Sequence, residues 1–238
     1  MPLVFAEGDR WVFAASTIGD GPMNPTDYVV DQEALLQRMH EVFDPLLPSA
    51  ASFHVAQLCH GDTIAMVEDG LVSKAYDKTD GLVTEMSGAV LRVTGADCPP
   101  VFLVDESVGR IALVHSGRKG ARRNIAGKVV REMVDIGSEP SHIMAIIGPG
   151  VCPRHYSMPP EILSDFVEYP EAINGTELNL RRVIRSQLLK AGLRDDMIRD
   201  IDECTFEMPE KWFSYRRDTQ DGLTFDRPRV QAFVAMLK

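Results

Sequence analysis

Two short runs, Val101–Val104 (VFLV) and Ile111–Val114 (IALV), contain no polar residue. A strand with one wet face alternates, so unbroken apolar runs of this length suit strands buried on both faces. A sheet built on such strands needs cover on each side, and the rest of the sequence supplies candidate layers. Leu35, Leu36, Met39, Val42 and Phe43 predict a helix over Asp31–Phe43, broken afterwards by Pro45 and Pro48. Ile125, Val129, Val130, Met133 and Ile136 predict a second over Ala121–Ile136, with Gly137 as its C-cap. Pro159–Tyr169 and Leu178–Ala191 read as further helices, the latter stopped by Gly192. Strands are expected at Trp11–Ser16, Phe53–Leu58, Thr63–Val67, Gly81–Glu85, Ala89–Thr94, Ile143–Ile147, Met197–Cys204 and Val230–Leu237, and Gly19–Pro25 reads as a loop. Helices and strands interleave without a repeat or linker, which points to one mixed α/β domain over residues 1–238.

Composition narrows the function. With 45% hydrophobic residues the chain can build a substantial core, and no apolar run reaches the ~18 residues of a membrane span. A net charge of -10 argues against broad nucleic-acid binding, which needs a basic surface. The N-terminus has no basic segment followed by a long apolar one, so no secretory signal is expected. Cys59, Cys98, Cys152 and Cys204 form no C-x-x-C pair and read as reduced thiols of a cytoplasmic protein.

Against that acidic background, Thr94–Arg123 concentrates the chemistry. Cys98 follows the Gly95-Ala96-Asp97 turn and precedes Pro99-Pro100, which lacks two backbone donors and interrupts a ladder. A cysteine at such a break is aimed by the backbone, although a buried thiol serving as a small hydrophobe fits the pattern equally. His115 ends the second apolar run. A lone histidine there is commonly a satisfied structural group, but Gly117 and Gly120 follow it, which implies a close approach to the backbone. His60, in LCHGD, sits at a third strand-to-turn junction. One cysteine and two histidines match a catalytic zinc with an open fourth position, while their wide spacing is no local metal motif. His40, His54, His142 and His155 compete as ordinary surface or core groups.

Arg118, Lys119, Arg122 and Arg123 open the predicted Ala121–Ile136 helix. Cations at a helix N-terminus oppose its dipole, and a bound phosphate would resolve the conflict; a solvated basic turn is the plainer alternative. Trp212–Asp218 (WFSYRRD) alternates aromatic and guanidinium groups. It suits base stacking and anion contact, but the alternation favours a strand with one buried face.

Taken together, the ordered pieces resemble the multicopper polyphenol oxidoreductase (laccase-type) family, whose members are understood as zinc-dependent purine nucleoside enzymes. The matching pieces are His60-Gly61, TGADCPP at Thr94–Pro100, HSGRKG at His115–Gly120, IGPG at Ile147–Gly150, Tyr156, Leu178-Asn179-Leu180 with Gln187-Leu188, Cys204-Thr205 and FSYRRD at Phe213–Asp218. The resemblance implies a single-domain α/β/β/α-type sandwich with mixed sheets and zinc held by His60, Cys98 and His115. It implies phosphorolysis of adenosine, inosine, guanosine or methylthioadenosine, and hydrolytic deamination of adenosine. Four features depart from the pattern. Arg118-Lys119 replaces Trp-Arg, Gln57 stands three residues before His60 rather than two, Ile18 replaces an arginine, and a closing T-G-R is missing from Thr219–Phe225.

In the zinc reading His60, Cys98 and His115 are catalytic as well as metal-binding, Asp97 is a proton carrier or a structural group, and Arg118, Lys119, Arg122 and Arg216 contact phosphate or substrate. The expected partners are a purine nucleoside and phosphate. One rival is a metal-free cysteine hydrolase with Cys98 as nucleophile and His115 as base; another is a non-catalytic nucleotide-binding relative. Copper oxidation is disfavoured, because six histidines without an H-x-H pair are too few.

Overall fold

The computed structural model describes residues 2–23, 32–47, 51–68, 72–220, 222 and 229–238. Fourteen strands are present among them. In chain order they are β1 (Leu3–Glu7), β2 (Trp11–Ala15), β3 (Ser52–Ala56), β4 (Ile64–Val67), β5 (Lys74–Tyr76), β6 (Gly81–Thr84), β7 (Ala89–Gly95), β8 (Pro100–Asp105), β9 (Arg110–His115), β10 (Ile143–Ile147), β11 (Ile173–Asn174), β12 (Glu177–Leu178), β13 (Ile198–Asp200) and β14 (Gln231–Leu237). The helices are α1 (Gln32–Phe43), α2 (Arg118–Arg122), α3 (Ile125–Asp135), α4 (Pro160–Leu163), α5 (Leu180–Lys190) and α6 (Tyr215–Gln220).

Two six-stranded mixed sheets form the body. One runs β1-β2-β14-β7-β3-β5 and the other β13-β10-β8-β9-β6-β4, while β11 and β12 make a separate small ribbon. The VFLV and IALV runs become β8 and β9, antiparallel neighbours in the middle of the second sheet. Both faces are buried, as their lack of alternation demands. Phe102 and Val104 point into the core between the sheets, where Phe13 stacks on Phe102 at 5.0 Å and Phe5 meets it edge-on at 5.7 Å. Val101 and Leu103 face the other way, against Ile125, Val129 and Met133 of α3 and Ile184 and Leu188 of α5. The first sheet is covered in turn by Leu35, Met39 and Phe43 of α1. The result is the expected four-layer α/β/β/α sandwich. Truncating Phe102 to alanine would cost about 3–5 kcal/mol, because three aromatic neighbours would lose their partner.

Several expectations need correction. The helix expected over Ala121–Ile136 is two helices, because Asn124 takes a left-handed conformation (φ 60°) and its side chain accepts from the Gly127 N–H to cap α3. Pro100 does not stop a ladder. It opens β8 opposite His115, and as a first-strand residue it has no donor to lose. Pro159–Tyr169 holds only the four-residue α4 and a 3-10 turn, Ser164–Phe166. Met197–Cys204 holds only the three-residue β13. The end of the FSYRRD segment is helical, in α6, rather than a strand. Strands β1 and β5 had no clear signal in the sequence. The expectations at Asp31, Pro48, Asn24-Pro25 and most of Thr219–Phe225 lie outside the described residues.

Candidate metal centre and its cavity

Three chain breaks build the centre. His60 lies in the loop between β3 and β4, Cys98 between β7 and β8, and His115 closes β9. The Cys98 sulfur and one ring nitrogen each of His60 and His115 lie within 4.8 Å of one another, and the two imidazoles meet edge to face at 5.0 Å. His60 is exposed, Cys98 half-buried and His115 buried, so the trio faces outward from the sheet end. The close approach implied by Gly117 has a definite partner: a Cβ there would stand 2.8 Å from the Cys98 sulfur and 3.2 Å from the His115 ring. Gly120 likewise lets α2 touch the His60-Gly61 turn, since its Cβ would meet the Gly61 carbonyl oxygen at 2.9 Å.

Asp80, buried at the start of the turn into β6, organises two of the three donors. Its Oδ1 stands 3.0 Å from His115 Nδ1, and its Oδ2 accepts from the Gly61 N–H (2.7 Å), the Cys59 N–H (3.2 Å) and the Cys59 thiol (3.1 Å). These bonds hold His60 at φ 58°, in the left-handed region that a histidine rarely adopts. Sequence reasoning missed Asp80, because Asp-Gly in KTDGL reads as an ordinary turn and its imidazole partner is far along the chain.

The electrostatics are unusual. Burial alone would keep Cys98 protonated, but the His115 and His60 imidazoles facing its sulfur outweigh it and bring the thiol down to about 6. His115 moves the opposite way. Burial resists its charge, yet the Cys98 sulfur and the Asp80 carboxylate raise it to about 9. Burial also resists ionisation of Asp80, and hydrogen bonds from His115, Cys59 and Gly61 outweigh it, holding the carboxyl near 2. Protein groups alone therefore favour a thiolate beside an imidazolium backed by a carboxylate.

A cavity of about 820 Å³ opens beside the trio, within the usual size range for a small-molecule site. Leu58, Met158 and Val230 give it apolar wall, and Tyr156 and Arg216 line another side with the guanidinium 5.3 Å above the Tyr156 ring. Burial pushes the Tyr156 phenol up, so it stays a hydrogen-bond donor, and Arg118 and Arg216 are the cations near enough to oppose that shift. Gln57 does not line the cavity; its neighbour Leu58 does.

The basic loop divides. Arg118 is half-buried toward Tyr156, and Lys119 is exposed. Arg118, Lys119 and Arg122, all expected phosphate contacts, are absent from the cavity wall; Arg122 Nε meets Asp165 at 3.2 Å and Arg123 reaches Asp62 at 3.7 Å. Asp97 lines the cavity with its carboxylate already engaged: Oδ1 accepts from the Thr205 hydroxyl and Oδ2 from the Arg216 N–H, each at 2.7 Å. It fastens α6, and with it Arg216, to the Cys98 loop. The other histidines sit apart from the centre. His40 meets Asp44, His54 lies in the core beside Ser52 and Tyr76, His142 ends a 3-10 turn and His155 meets Glu207.

A layered α/β protein with a thiol–imidazole centre on the wall of a cavity is the class that fold and site define. The family model described as multi-copper polyphenol oxidoreductase laccase matches residues 17–226, and the chain belongs to that family. A purine nucleoside phosphorylase of Corynebacterium glutamicum is 32% identical over 199 residues, covering 81% of this chain and 80% of that protein. Another, from Streptomyces coelicolor, is 34% identical over 169 residues, covering 68% and 69%. The crystal structure of the hypothetical protein YfiH from Bacillus licheniformis superposes with a TM-score of 0.84 at 25% identity, over 96% of this chain and 93% of that one.

Proposed function

We propose that residues 1–238 act as one metal-dependent purine nucleoside phosphorylase, with zinc held by His60, Cys98 and His115. The donor set fits that ion: one soft sulfur, two imidazoles, and a carboxylate behind His115 that fixes its tautomer. Bound there, zinc would supply Lewis acidity at the cavity wall. The other roles belong to the chain itself. Arg216, over the Tyr156 ring on the cavity wall, would hold phosphate, with the Tyr156 phenol as a second donor and the Arg118 charge adding to the local positive field. Leu58, Met158 and Val230 would bury the apolar parts of the nucleoside and exclude water. Asp97 positions Arg216 rather than carrying a proton, since both its oxygens accept bonds from fixed donors.

The observation that carries the reading is the convergence of three sequence-distant donors on a cavity that also presents the Arg216 guanidinium, in a chain similar to proteins named purine nucleoside phosphorylases. The test is product analysis by mass spectrometry after incubation with adenosine or inosine. Free base and ribose 1-phosphate should form only when phosphate is present. Inosine from adenosine without phosphate would replace phosphorolysis by deamination, and tight nucleoside binding without products would make the chain a non-catalytic relative.

One arrangement favours a second reading. Cys98, His115 and Asp80 form a nucleophile–base–carboxylate line, the arrangement of a cysteine hydrolase. The two part at a chelator: stripping metal would silence the phosphorylase and leave a cysteine hydrolase working.

A further inference from the structure

A second thiol cluster lies behind the first. The chain leaving β10 passes through Gly148-Pro149-Gly150 and brings Cys152 against Cys204, with Gly150 and Cys204 paired in an isolated parallel bridge. The Cys152 N–H donates to the Cys204 sulfur at 3.2 Å, and the Cys152 thiol donates to Glu207 Oε1 at 3.5 Å. One donor atom from each of Cys152, Cys204 and Glu207 lies within 4.8 Å of the others. Both cysteines are buried free thiols, while Glu207 reaches solvent and gives an ion a way in. None of the three lines the nucleoside cavity. The carboxylate is held from behind: His155 Nε2 stands 3.0 Å from Oε1, and its ring stacks on Phe206 at 3.9 Å. Arg154 reaches both oxygens, at 2.7 and 2.8 Å.

We infer that Cys152, Cys204 and Glu207 form a second metal site, selective for a thiophilic d10 cation such as zinc or cadmium. Two sulfurs and one oxygen from three separate backbone positions are a soft donor set, and a hard cation would find too few oxygens here. His155 and Arg154 act on the carboxylate as outer partners that fix its orientation. Binding is balanced by release of the two thiol protons to solvent as two S–metal bonds form. Without a cation the cluster places three anion-forming groups together. An ion would turn that mutual repulsion into ligation.

The site is joined to the loop that carries Cys98. Val151, next to Cys152, donates its N–H to the Asp97 carbonyl at 2.9 Å, and Thr205, next to Cys204, donates to the Asp97 carboxylate. An ion there would brace the turn that aims Cys98. The inference stands without the proposed nucleoside activity, because no ligand is shared.

Cadmium titration of the full-length protein tests it, read by thiolate-to-cadmium charge-transfer absorbance and by native mass spectrometry. The Cys98→Ala variant should still bind one equivalent. Adding Cys204→Ser to that variant should abolish it, and His155→Ala should weaken it about 10–100-fold with the fold intact. No cadmium bound by Cys98→Ala, or an equivalent that survives Cys204→Ser, would overturn the site. Fresh protein two mass units light, with Cys152 and Cys204 both blocked to alkylation, would mark a disulfide and overturn it equally.

Discussion

Cys98 and Cys152 are the same chemical group in opposite states. Both thiols are desolvated, which raises a pKa, yet Cys98 falls to about 6 and Cys152 climbs to about 11. The difference lies in what each sulfur faces. Cys98 meets two imidazoles, one of them backed by Asp80, whereas Cys152 meets a second thiol and a carboxylate. Burial sets the stakes for a cysteine, and the sign of its neighbours decides the outcome. At the cavity the protein has prepared a thiolate before any ion arrives. In the rear cluster the Cys152 thiol keeps its proton at neutral pH.

The largest expected effect comes from erasing the prepared thiolate. Cys98→Ala should lose the metal of the cavity site, read by elemental analysis of protein whose rear cluster is also changed by Cys204→Ser, and nucleoside turnover should fall to background. Retained turnover would show that the sulfur does not serve the reaction. Alkylation of metal-stripped protein at pH 7 probes the same contrast directly. Cys98 should be modified at least ~100-fold faster than Cys152 in peptide maps, because only the thiolate attacks. Equal rates would mean that the neighbours do not act as described.

Asp80 ranks next. Asp80→Asn should weaken zinc at the cavity site about 10–100-fold, since the outer carboxylate on His115 is lost. It should also change acid stability. A carboxyl held near 2 when folded, against an ordinary value near 3.8, stabilises the fold above pH 4, and that contribution fades as pH falls toward 2. Wild type measured without metal should therefore lose about 1–2 kcal/mol more than Asp80→Asn across that window in denaturant titrations. Parallel losses would remove Asp80 from its assigned place.

How much of this was legible follows from where the partners lie. β8, β9 and β10 are written locally, since an unbroken apolar run leaves a strand few other ways to be buried. The three donors of the cavity site stood out because each sits where an apolar run meets a turn, but only the family resemblance joined them. Asp80 and the Asp97 bonds were invisible, because their partners lie 35 and 108–119 positions away and leave no periodic trace. Local pattern misled at WFSYRRD. Trp212–Ser214 are buried, but the Ser214 hydroxyl accepts from the Arg217 N–H and the Asp97 carboxylate from the Arg216 N–H, and these caps turn the chain into α6. Asn124 misled in the other direction, since the apolar periodicity continues across a residue whose backbone breaks the helix.

The cationic loop gives the smallest and most discriminating contrast. Read along the sequence, Arg118, Lys119 and Arg122 belong to the phosphate loop and Arg216 is a separate candidate for substrate contact; in the fold, Arg216 lies over Tyr156 on the cavity wall and Arg122 meets Asp165 at the surface. Arg216→Ala removes a guanidinium and leaves the backbone N–H that Asp97 holds, so α6 should keep its place. Its expected effect is a rise of about 10-fold or more in the KM for phosphate with a smaller change in kcat, as for a lost charge-assisted contact of ~1.5 kcal/mol. Arg122→Ala breaks only an exposed ion pair, which is worth at most ~1 kcal/mol, and should leave both constants within about twofold. If the two variants behave alike, phosphate is held by the diffuse charge of the loop, and Arg216 loses its special place beside Tyr156.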